Sequence, residues 1–186
     1  MALVVICGMP EVARLFGVEE QTARVWRTRP GSLPPEDLKF GREPAWMLTT
    51  LRRHKRARAS AATINDLVVE QVMKERGFEG PAVLLGYEHI AELTGAPLAT
   101  IKTIASRDQL ARPDLRVGSK VHKDRATGEP LTNPDGTPVI GTPVWRMSTI
   151  TAQLNGALEG DGFPRLNLTI EPKALARLSE TNRVNG

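Results

Sequence analysis

Two copies of one sequence pattern follow each other in this chain. The first reads GMPEVARLFGVEEQTARVWRTR and the second reads GYEHIAELTGAPLATIKTIASR. Identical residues stand at matching positions of the two copies: Gly8 and Gly86, Ala13 and Ala91, Leu15 and Leu93, Gly17 and Gly95, Thr22 and Thr100, and Arg29 and Arg107. After a gap of one residue the match continues, with a long insertion in the second copy, through Leu33 and Leu110, Asp37 and Asp114, Leu38 and Leu115, Gly41 and Gly118, Pro44 and Pro143, Trp46 and Trp145, and Thr50 and Thr149. Such a repeat predicts one small domain present twice.

Within the first copy, the apolar residues outline two short helices that meet at a glycine. Val12, Ala13, Leu15 and Phe16 share one helical face, and Gly17 suits the left-handed end of that helix. The second helix is predicted to start at Glu19, with Ala23 and Trp26 on its buried stripe. Its opposite face is a mixture suited to base edges and phosphates, formed by Glu20, Gln21, Arg24, Arg27 and Thr28. The pattern predicts a helix-turn-helix, although two helices joined by glycine also occur in ordinary helical cores.

A short hairpin and a basic helix are predicted to follow this helix pair. LKFGREPAWM alternates around Gly41 as a tight hairpin would, which places Lys39 and Arg42 near its tip. The next helix turns Leu48 and Leu51 inward and ends in a strongly basic run formed by Arg52, Arg53, Lys55, Arg56 and Arg58. This run is either a solvated helix end or a phosphate-binding segment, and its density of charge favours phosphate.

Charge is placed unevenly along the chain. The formal net charge is only +4, but residues 21–58 hold ten Lys and Arg against three acids. Residues 100–125 hold seven basic residues against three acids. Because both basic regions coincide with predicted DNA-facing segments, double-stranded DNA is the expected partner.

Other classes of function lack a matching sequence signal. Cys7 is the single cysteine and lies in an apolar run, so we expect a buried small hydrophobe with no disulfide and no zinc site. His54, His89 and His122 have no ligand constellation around them, and no phosphate loop or nucleophile motif is present. We therefore expect no enzyme activity, cofactor or metal. The short ALVVIC run predicts neither a signal peptide nor a membrane span, so we expect a cytoplasmic protein.

Residues 5–56 resemble the excisionase and MerR-type winged helix-turn-helix family. The resemblance rests on V-A-R-L-F-G-V-x-x-Q-T-A-R-x-W, a short hairpin, P-x-W and a helix. It implies that helix 19–28 enters the major groove of DNA and that the hairpin tip, residues 39–43, touches the adjacent minor groove or its phosphates. By position, the resemblance makes Trp46 the residue that closes the core, and it makes the groove-facing set Gln21, Thr22, Arg24 and Arg27.

The second copy is a weaker match, over residues 83–154. It has Ile104 where the first copy has Trp26, and it carries the small residues Ala99 and Thr103 on the reading face. We therefore expect mainly backbone binding from its second helix, through Thr100, Lys102, Ser106 and Arg107.

The insertion in the second copy, VGSKVHKDRATGEPLTNPDGTPVIGTPVW, has flanks that favour extended structure around the turn residues 133–136. It is either a projecting hairpin or a disordered surface loop. As a hairpin it would present basic groups suited to phosphates, namely Lys120, Lys123 and Arg125.

Two further segments flank the second copy. TINDLVVEQVMKERGFEG predicts a helix that starts near Thr63 or Asn65 and stops at Gly77. This helix either fixes the two domains relative to each other or buries its apolar stripe against a partner chain. After EGDGFP, the alternation of Leu166, Leu168 and Ile170 predicts a strand, and Pro172 begins a helix, as in half of a ribbon-helix-helix unit. This tail is expected to mediate a dimer contact or to fold back onto the second domain.

The sequence thus predicts an α+β protein, mainly helical with small β-hairpin wings. Its parts are a winged helix-turn-helix domain at 1–58, a helical linker at 59–80, a second winged domain with a long wing at 81–158, and a strand-helix tail at 159–186. The expected function is sequence-specific binding of double-stranded DNA as a transcriptional regulator or repressor, or as an excisionase-like accessory factor. It would act in a bacterial or phage-infected cell, near the nucleoid, as a monomer or as a homodimer formed through the tail or linker helix. The alternatives are a small terminase subunit of a phage, a centromere- or origin-binding protein, and an interaction adaptor that binds protein and no DNA.

Overall fold

A computed structural model describes residues 3–54, 63–124, 127–133 and 136–185. In that part of the chain, eight α-helices accompany two small antiparallel sheets, so the predicted α+β class is confirmed. The chain divides into two compact units. The first unit holds the described residues of 1–79 and 116–142, and the second holds those of 80–115 and 143–185.

The order of elements is the same in the two copies. The first copy contains β1 (Leu3–Cys7), α1 (Met9–Phe16), α2 (Glu20–Thr28), β2 (Leu38–Phe40), β3 (Glu43–Met47), α3 (Leu48–Arg53), α4 (Asp66–Arg76) and β4 (Gly77–Glu79). The second contains β5 (Ala82–Leu85), α5 (Tyr87–Thr94), α6 (Leu98–Ser106), β6 (Leu115–Val121), β7 (Ile140–Arg146), α7 (Met147–Leu154), a 3₁₀ turn (Glu159–Asp161), α8 (Pro172–Thr181) and β8 (Arg183–Val184). Their sheets have the equivalent strand orders β2-β3-β1-β4 and β6-β7-β5-β8.

A glycine ends the first helix of each copy. Gly17 follows α1 with φ +63°, and Gly95 follows α5 with φ +65°. Side chains with a Cβ adopt this left-handed conformation at a cost, so glycine is the usual residue there. The chain then turns into α2, which begins at Glu20, one residue later than the sequence predicted.

Equivalent hydrogen bonds recur at the matching positions of the two copies, and those of the tryptophans are buried. The indole Nε1 of Trp46 donates to Pro34 O at 3.0 Å, and that of Trp145 donates to Ala111 O at 2.6 Å. Asp37 accepts from the backbone N of Met47 and from the hydroxyl of Thr50. The corresponding carboxylate of the second copy accepts equivalent bonds, linking Asp114 to Arg146 N and Thr149. The sequence identities that define the repeat therefore include the residues that fix each core.

The first strand of each copy lies inside its sheet. The short β-branched run from Leu3 to Ile6 is typical of a segment beside a helix or of an edge strand, but it lies in a central strand here. β1 pairs with β3 through Cys7 and Trp46 and with β4 through Val4 and Phe78. The reason is that the short sequence GFE, directly after α4, supplies an additional strand.

Helix α4 belongs to the first unit. The side chain of Asn65 caps it by accepting from Leu67 N at 3.0 Å, and Gly77 follows its last residue, as predicted. Val69 and Val72 are buried in the core of this unit. The segment predicted as a linker helix thus supplies both a core helix and, through β4, a strand of the first unit.

The strand predicted at Leu166, Leu168 and Ile170 is wrong. These residues lie in irregular chain and pack against the core of the second unit, where Leu166 is buried. The helix that begins at Pro172 is confirmed, and the strand of this segment follows it as β8 beside β5. The backbone N of Glu171 donates to Leu93 O at 2.8 Å, just as Asn65 N donates to Leu15 O at 2.9 Å in the first copy. The tail is therefore the counterpart of α4 and β4, which extends the repeat beyond the residues that sequence matching found.

His89 should make the stability of the second unit depend on pH. Its Nδ1 accepts from Gly86 N at 3.0 Å, and burial lowers the pKa of His89, an effect only partly offset by Glu88 and Glu92. The unfolded chain therefore takes up a proton near the ordinary value of 6.5, whereas the folded unit takes it up at lower pH. The stability due to neutral His89 is complete above that value and is lost as pH falls below it.

Thermal unfolding of the second unit between about pH 7.5 and 5.5 measures this dependence. His89→Gln is the matched control, because its side-chain oxygen can accept the same bond without titrating. We expect the melting temperature of the wild type to fall more over this range than that of the glutamine variant. Equal slopes would contradict the role of His89.

Candidate nucleic-acid interface

Helix α2 presents the polar face that the sequence predicted. Ala23 is fully buried, and Trp26 is half-buried with its ring edge-on to Phe16 at a centroid distance of 5.8 Å. The predicted groove-facing residues are exposed: Gln21, Thr22, Arg24 and Arg27. The apolar face of α2 therefore packs on the core and its polar face is open to solvent, as is required of a helix that docks into a DNA groove.

Both arginines of this face have acidic neighbours. Arg24 donates from Nε and Nη2 to Glu20 Oε1 at 3.0 and 2.6 Å. Arg27 Nη2 lies 3.5 Å from Glu36 Oε1. Exposed pairs of this kind contribute only about 0 to 1 kcal/mol each. Exchanging them for contacts with a nucleic acid therefore costs little.

The hairpin formed by β2 and β3 matches its prediction. Leu38 and Phe40 are buried, and the chain reverses at Gly41, which has φ +63°. Lys39 and Arg42 are exposed at the turn, and neither forms an ion pair with another described residue. Their charges are available to an anionic partner.

The basic end of α3 is described only in part. Arg52 and Arg53 are exposed at its last turn. Arg52 Nη2 lies 3.5 Å from Asp66 Oδ1, and both side chains are more than half exposed. The remaining members of the predicted phosphate-binding run, Lys55, Arg56 and Arg58, lie outside the described residues.

We use the name long hairpin for the described residues of 116–142. In its described part, His122 N donates to Val139 O at 2.9 Å and Leu131 N donates to His122 O at 2.8 Å. Of the two predicted alternatives, a projecting hairpin and a disordered loop, this part of the chain therefore forms the hairpin. Lys120 and Lys123 are exposed on its first arm, whereas the predicted phosphate ligand Arg125 and the turn residues 134–135 lie outside the described part.

Three elements of the first unit meet at Gly118 and Ser119 of the long hairpin. A Cβ atom on Gly118, which has φ +92°, would lie only 2.6 Å from Glu43 Oε2, next to the turn that carries Arg42. Ser119 Oγ lies 2.6 Å from Glu20 Oε1 and 3.0 Å from Arg24 Nη2 on α2. From the sequence, each of these three elements was predicted to contact DNA. Their contact with one another was not predicted, because the long hairpin was assigned to the second domain.

An ion pair between the buried Glu11 and the partly buried Arg76 supports the base of the long hairpin. Arg76 donates to the carboxylate of Glu11 and to the backbone O of Arg116. The other carboxylate oxygen of Glu11 accepts from Gly8 N at 2.8 Å, and Gly8 itself lies against Gly118. The position of Glu11, three residues after the glycine that precedes α1, is a recognisable capping signal. No local signal marks Arg76 as its partner.

Cys7 lies close to this ion pair and is inert. It is fully buried and free. Burial raises the pKa of the Cys7 thiol, and the Glu11 carboxylate raises it further. The thiol therefore stays protonated, and the expectation of a buried small hydrophobe is confirmed.

Helix α6 of the second unit offers fewer polar groups. Thr100, Lys102, Ser106 and Arg107 are exposed. The hydroxyl of Ser106 donates to the backbone of its own helix, at Thr103 O. α6 therefore presents small side chains and one long cation along its length, followed by Arg107 at its end.

The described residues hold neither a metal-binding cluster nor a membrane-spanning helix. They contain no cluster of three or more His, Cys, Asp or Glu placed to hold a metal ion. None of the helices in the described ranges has the length and apolar character needed to cross a membrane. Comparison of the chain with models of protein families, with curated protein sequences and with solved structures gives no significant match.

Proposed function

We propose that this protein binds double-stranded DNA in a sequence-specific way through two winged helix-turn-helix units. The observation that carries the proposal is the meeting of α2, the β2–β3 turn and the long hairpin in the first unit. One exposed polar helix flanked by two hairpins with exposed cations is the arrangement with which winged domains read a major groove and hold the flanking phosphates. The supporting cations are Arg24, Arg27, Lys39, Arg42, Lys120 and Lys123.

The two units have unequal tasks in this proposal. α2 presents Gln21, Arg24 and Arg27, whose long side chains can reach the edges of bases. α6 presents Lys102 among small residues and suits the DNA backbone. The first unit therefore reads sequence, and the second adds affinity.

The biological role that best fits such a reader is regulation of transcription, or assistance to recombination in the manner of an excisionase. Two direct copies in one chain can bind an asymmetric or directly repeated site without the palindrome that a two-fold dimer prefers. A place in the cytoplasm close to the nucleoid belongs to the same proposal. A phage terminase subunit and a centromere- or origin-binding protein would share its DNA-binding surface.

Substitutions in α2 should therefore reduce the sequence specificity of DNA binding more than substitutions in α6 and at the residue that follows it. The matched pair is Arg24→Ala with Arg27→Ala against Lys102→Ala with Arg107→Ala, because each pair removes two exposed cations. A site is first selected from random duplex DNA, and affinities are then measured for that site and for an unrelated duplex. Since a good base contact is worth about 1 to 3 kcal/mol, the α2 pair should lower the ratio of the two affinities about tenfold or more.

The α6 pair should instead weaken binding to both duplexes by similar factors. Equal losses of specificity from the two pairs would contradict the assignment of reading to α2. If the wild type binds no duplex at all but retains a protein partner at high salt, the chain is an interaction adaptor and the proposed function is wrong.

A further inference from the structure

The hydroxyl of Ser119 lies between the two charged residues of α2. It donates to Glu20 Oε1 at 2.6 Å and accepts from Arg24 Nη2 at 3.0 Å. The same Glu20 oxygen accepts from Nε and Nη2 of Arg24. Three side chains from two separate segments of the first unit therefore form a closed triangle of hydrogen bonds.

This triangle restricts the donors that Arg24 can offer to a ligand. A guanidinium group carries five N–H donors in a fixed plane. Glu20 Oε1 accepts from Nε and from one hydrogen of Nη2, and Ser119 Oγ, which lies 2.6 Å from that oxygen, shares the same hydrogen of Nη2. The other hydrogen of Nη2 and both hydrogens of Nη1 have no partner among the described residues, so the Nη1–Nη2 edge of the guanidinium is left to donate outside the protein.

The second copy lacks the charged pair of this triangle on its own helix α6. In the second copy, Leu98 stands at the position of Glu20, and Lys102 stands at that of Arg24. The first copy's own hairpin has Arg42 at the position of Ser119, so it supplies no hydroxyl there. The serine that contacts α2 therefore comes from the sequence of the other copy, on the segment that packs in the first unit.

We propose that Ser119 is a positioning residue that sets the base preference of Arg24, by holding its guanidinium so that the Nη1–Nη2 edge donates to the acceptors of guanine in the major groove. This inference rests on the proposed DNA-binding function and adds to it a specificity determinant outside the reading helix. Guanine is the base that presents two acceptors, N7 and O6, to an arginine in that groove. Without Ser119, Nη2 keeps only its bond to Glu20, and the guanidinium can turn to acceptors of other bases.

The test compares Ser119→Ala with Ser119→Thr, which restores the hydroxyl, and with Ser148→Ala, which removes an exposed serine of α7. Affinity is measured on the site selected by the wild type and on duplexes that change one base pair at a time. Ser119→Ala should reduce discrimination about tenfold at the base pair read by Arg24 and leave the other positions and the salt dependence unchanged. Ser119→Thr and Ser148→Ala should retain the discrimination of the wild type.

A measurement on the free protein makes the readout independent of DNA. The Nε–H proton of Arg24, observed by NMR, should exchange with water faster in Ser119→Ala than in the wild type or in Ser119→Thr, because loss of the serine loosens its bond to Glu20. Unchanged exchange would overturn the positioning role even if DNA binding is normal. Uniformly weaker binding to every duplex would also overturn it, because that result indicates a structural role for Ser119. Failure of the proposed function is a different result, in which the wild type itself binds no duplex.

Discussion

Replacing Arg76 by alanine is expected to lower the free energy of unfolding of the first unit by about 3 to 5 kcal/mol. The guanidinium of Arg76 faces the carboxylate of Glu11, whose side chain is only 4% exposed. Without Arg76, that carboxylate stays buried with no cation beside it, and Arg116 O loses its donor. Removal of one partner from a buried pair costs far more than the pair itself contributes.

Arg14→Ala is the matched control, because Arg14 forms an ion pair with Glu75 that also joins α1 to α4 but is exposed. Its loss should cost no more than about 1 kcal/mol. Hydrogen exchange followed separately in peptides of the two units measures both effects. Equal protection of the first unit in the two variants would show that Glu11 does not depend on Arg76.

Trp46→Ala should destabilise the first unit, and Trp145→Ala the second, by about 3 to 5 kcal/mol each. Trp46 is fully buried and Trp145 is 2% exposed, so each substitution opens a cavity in a small core. Each also leaves a buried carbonyl without its donor, at Pro34 or Ala111.

Phenylalanine at the same positions separates these two contributions. It retains most of the ring volume but not the indole N–H, so its cost should be smaller and close to that of one unpaired carbonyl, about 1 to 3 kcal/mol. Thermal unfolding of the four variants provides the measurement. An unchanged melting temperature in either alanine variant would contradict the burial of that tryptophan.

Local sequence signals were sufficient to predict several helix ends and turns. Gly17 marks the end of α1, Asn65 and Gly77 bound α4, and Pro172 begins α8, because capping and left-handed turns depend on residues a few positions apart. The β2–β3 hairpin was predicted for the same reason, from the alternation around Gly41.

Pairing between distant segments could not be predicted in this way. β4 is three residues long and β8 only two, so neither carries an alternation that marks a strand. Apolar residues do alternate at Leu166, Leu168 and Ile170. Their side chains pack against the core of the second unit, but their backbone pairs with no strand in the described part of the chain. Alternation records which side chains are buried, and it does not show whether the backbone finds a neighbouring strand.

In the candidate site, too, local features were predicted from the sequence and contacts between distant segments were not. Helical periodicity predicted Gln21, Arg24 and Arg27 on the exposed face of α2 and also predicted its buried side, whereas Thr22 was added by the family resemblance. The contact of Ser119 with Glu20 and Arg24 joins segments that are far apart in the sequence. No sequence signal near Ser119 predicts this contact. The repeat even suggested otherwise, because it placed the long hairpin in the second copy.

The dependence of DNA affinity on salt tests the proposed function most directly. Lys39, Arg42, Arg53, Lys120 and Lys123 are exposed in the first unit and form no ion pair with another described residue. If each contacts one phosphate, the logarithm of the affinity for duplex DNA should fall with the logarithm of the salt concentration with a slope of about −4 or steeper. Affinity that does not change with salt, or no measurable affinity for any duplex at low salt, would contradict the account.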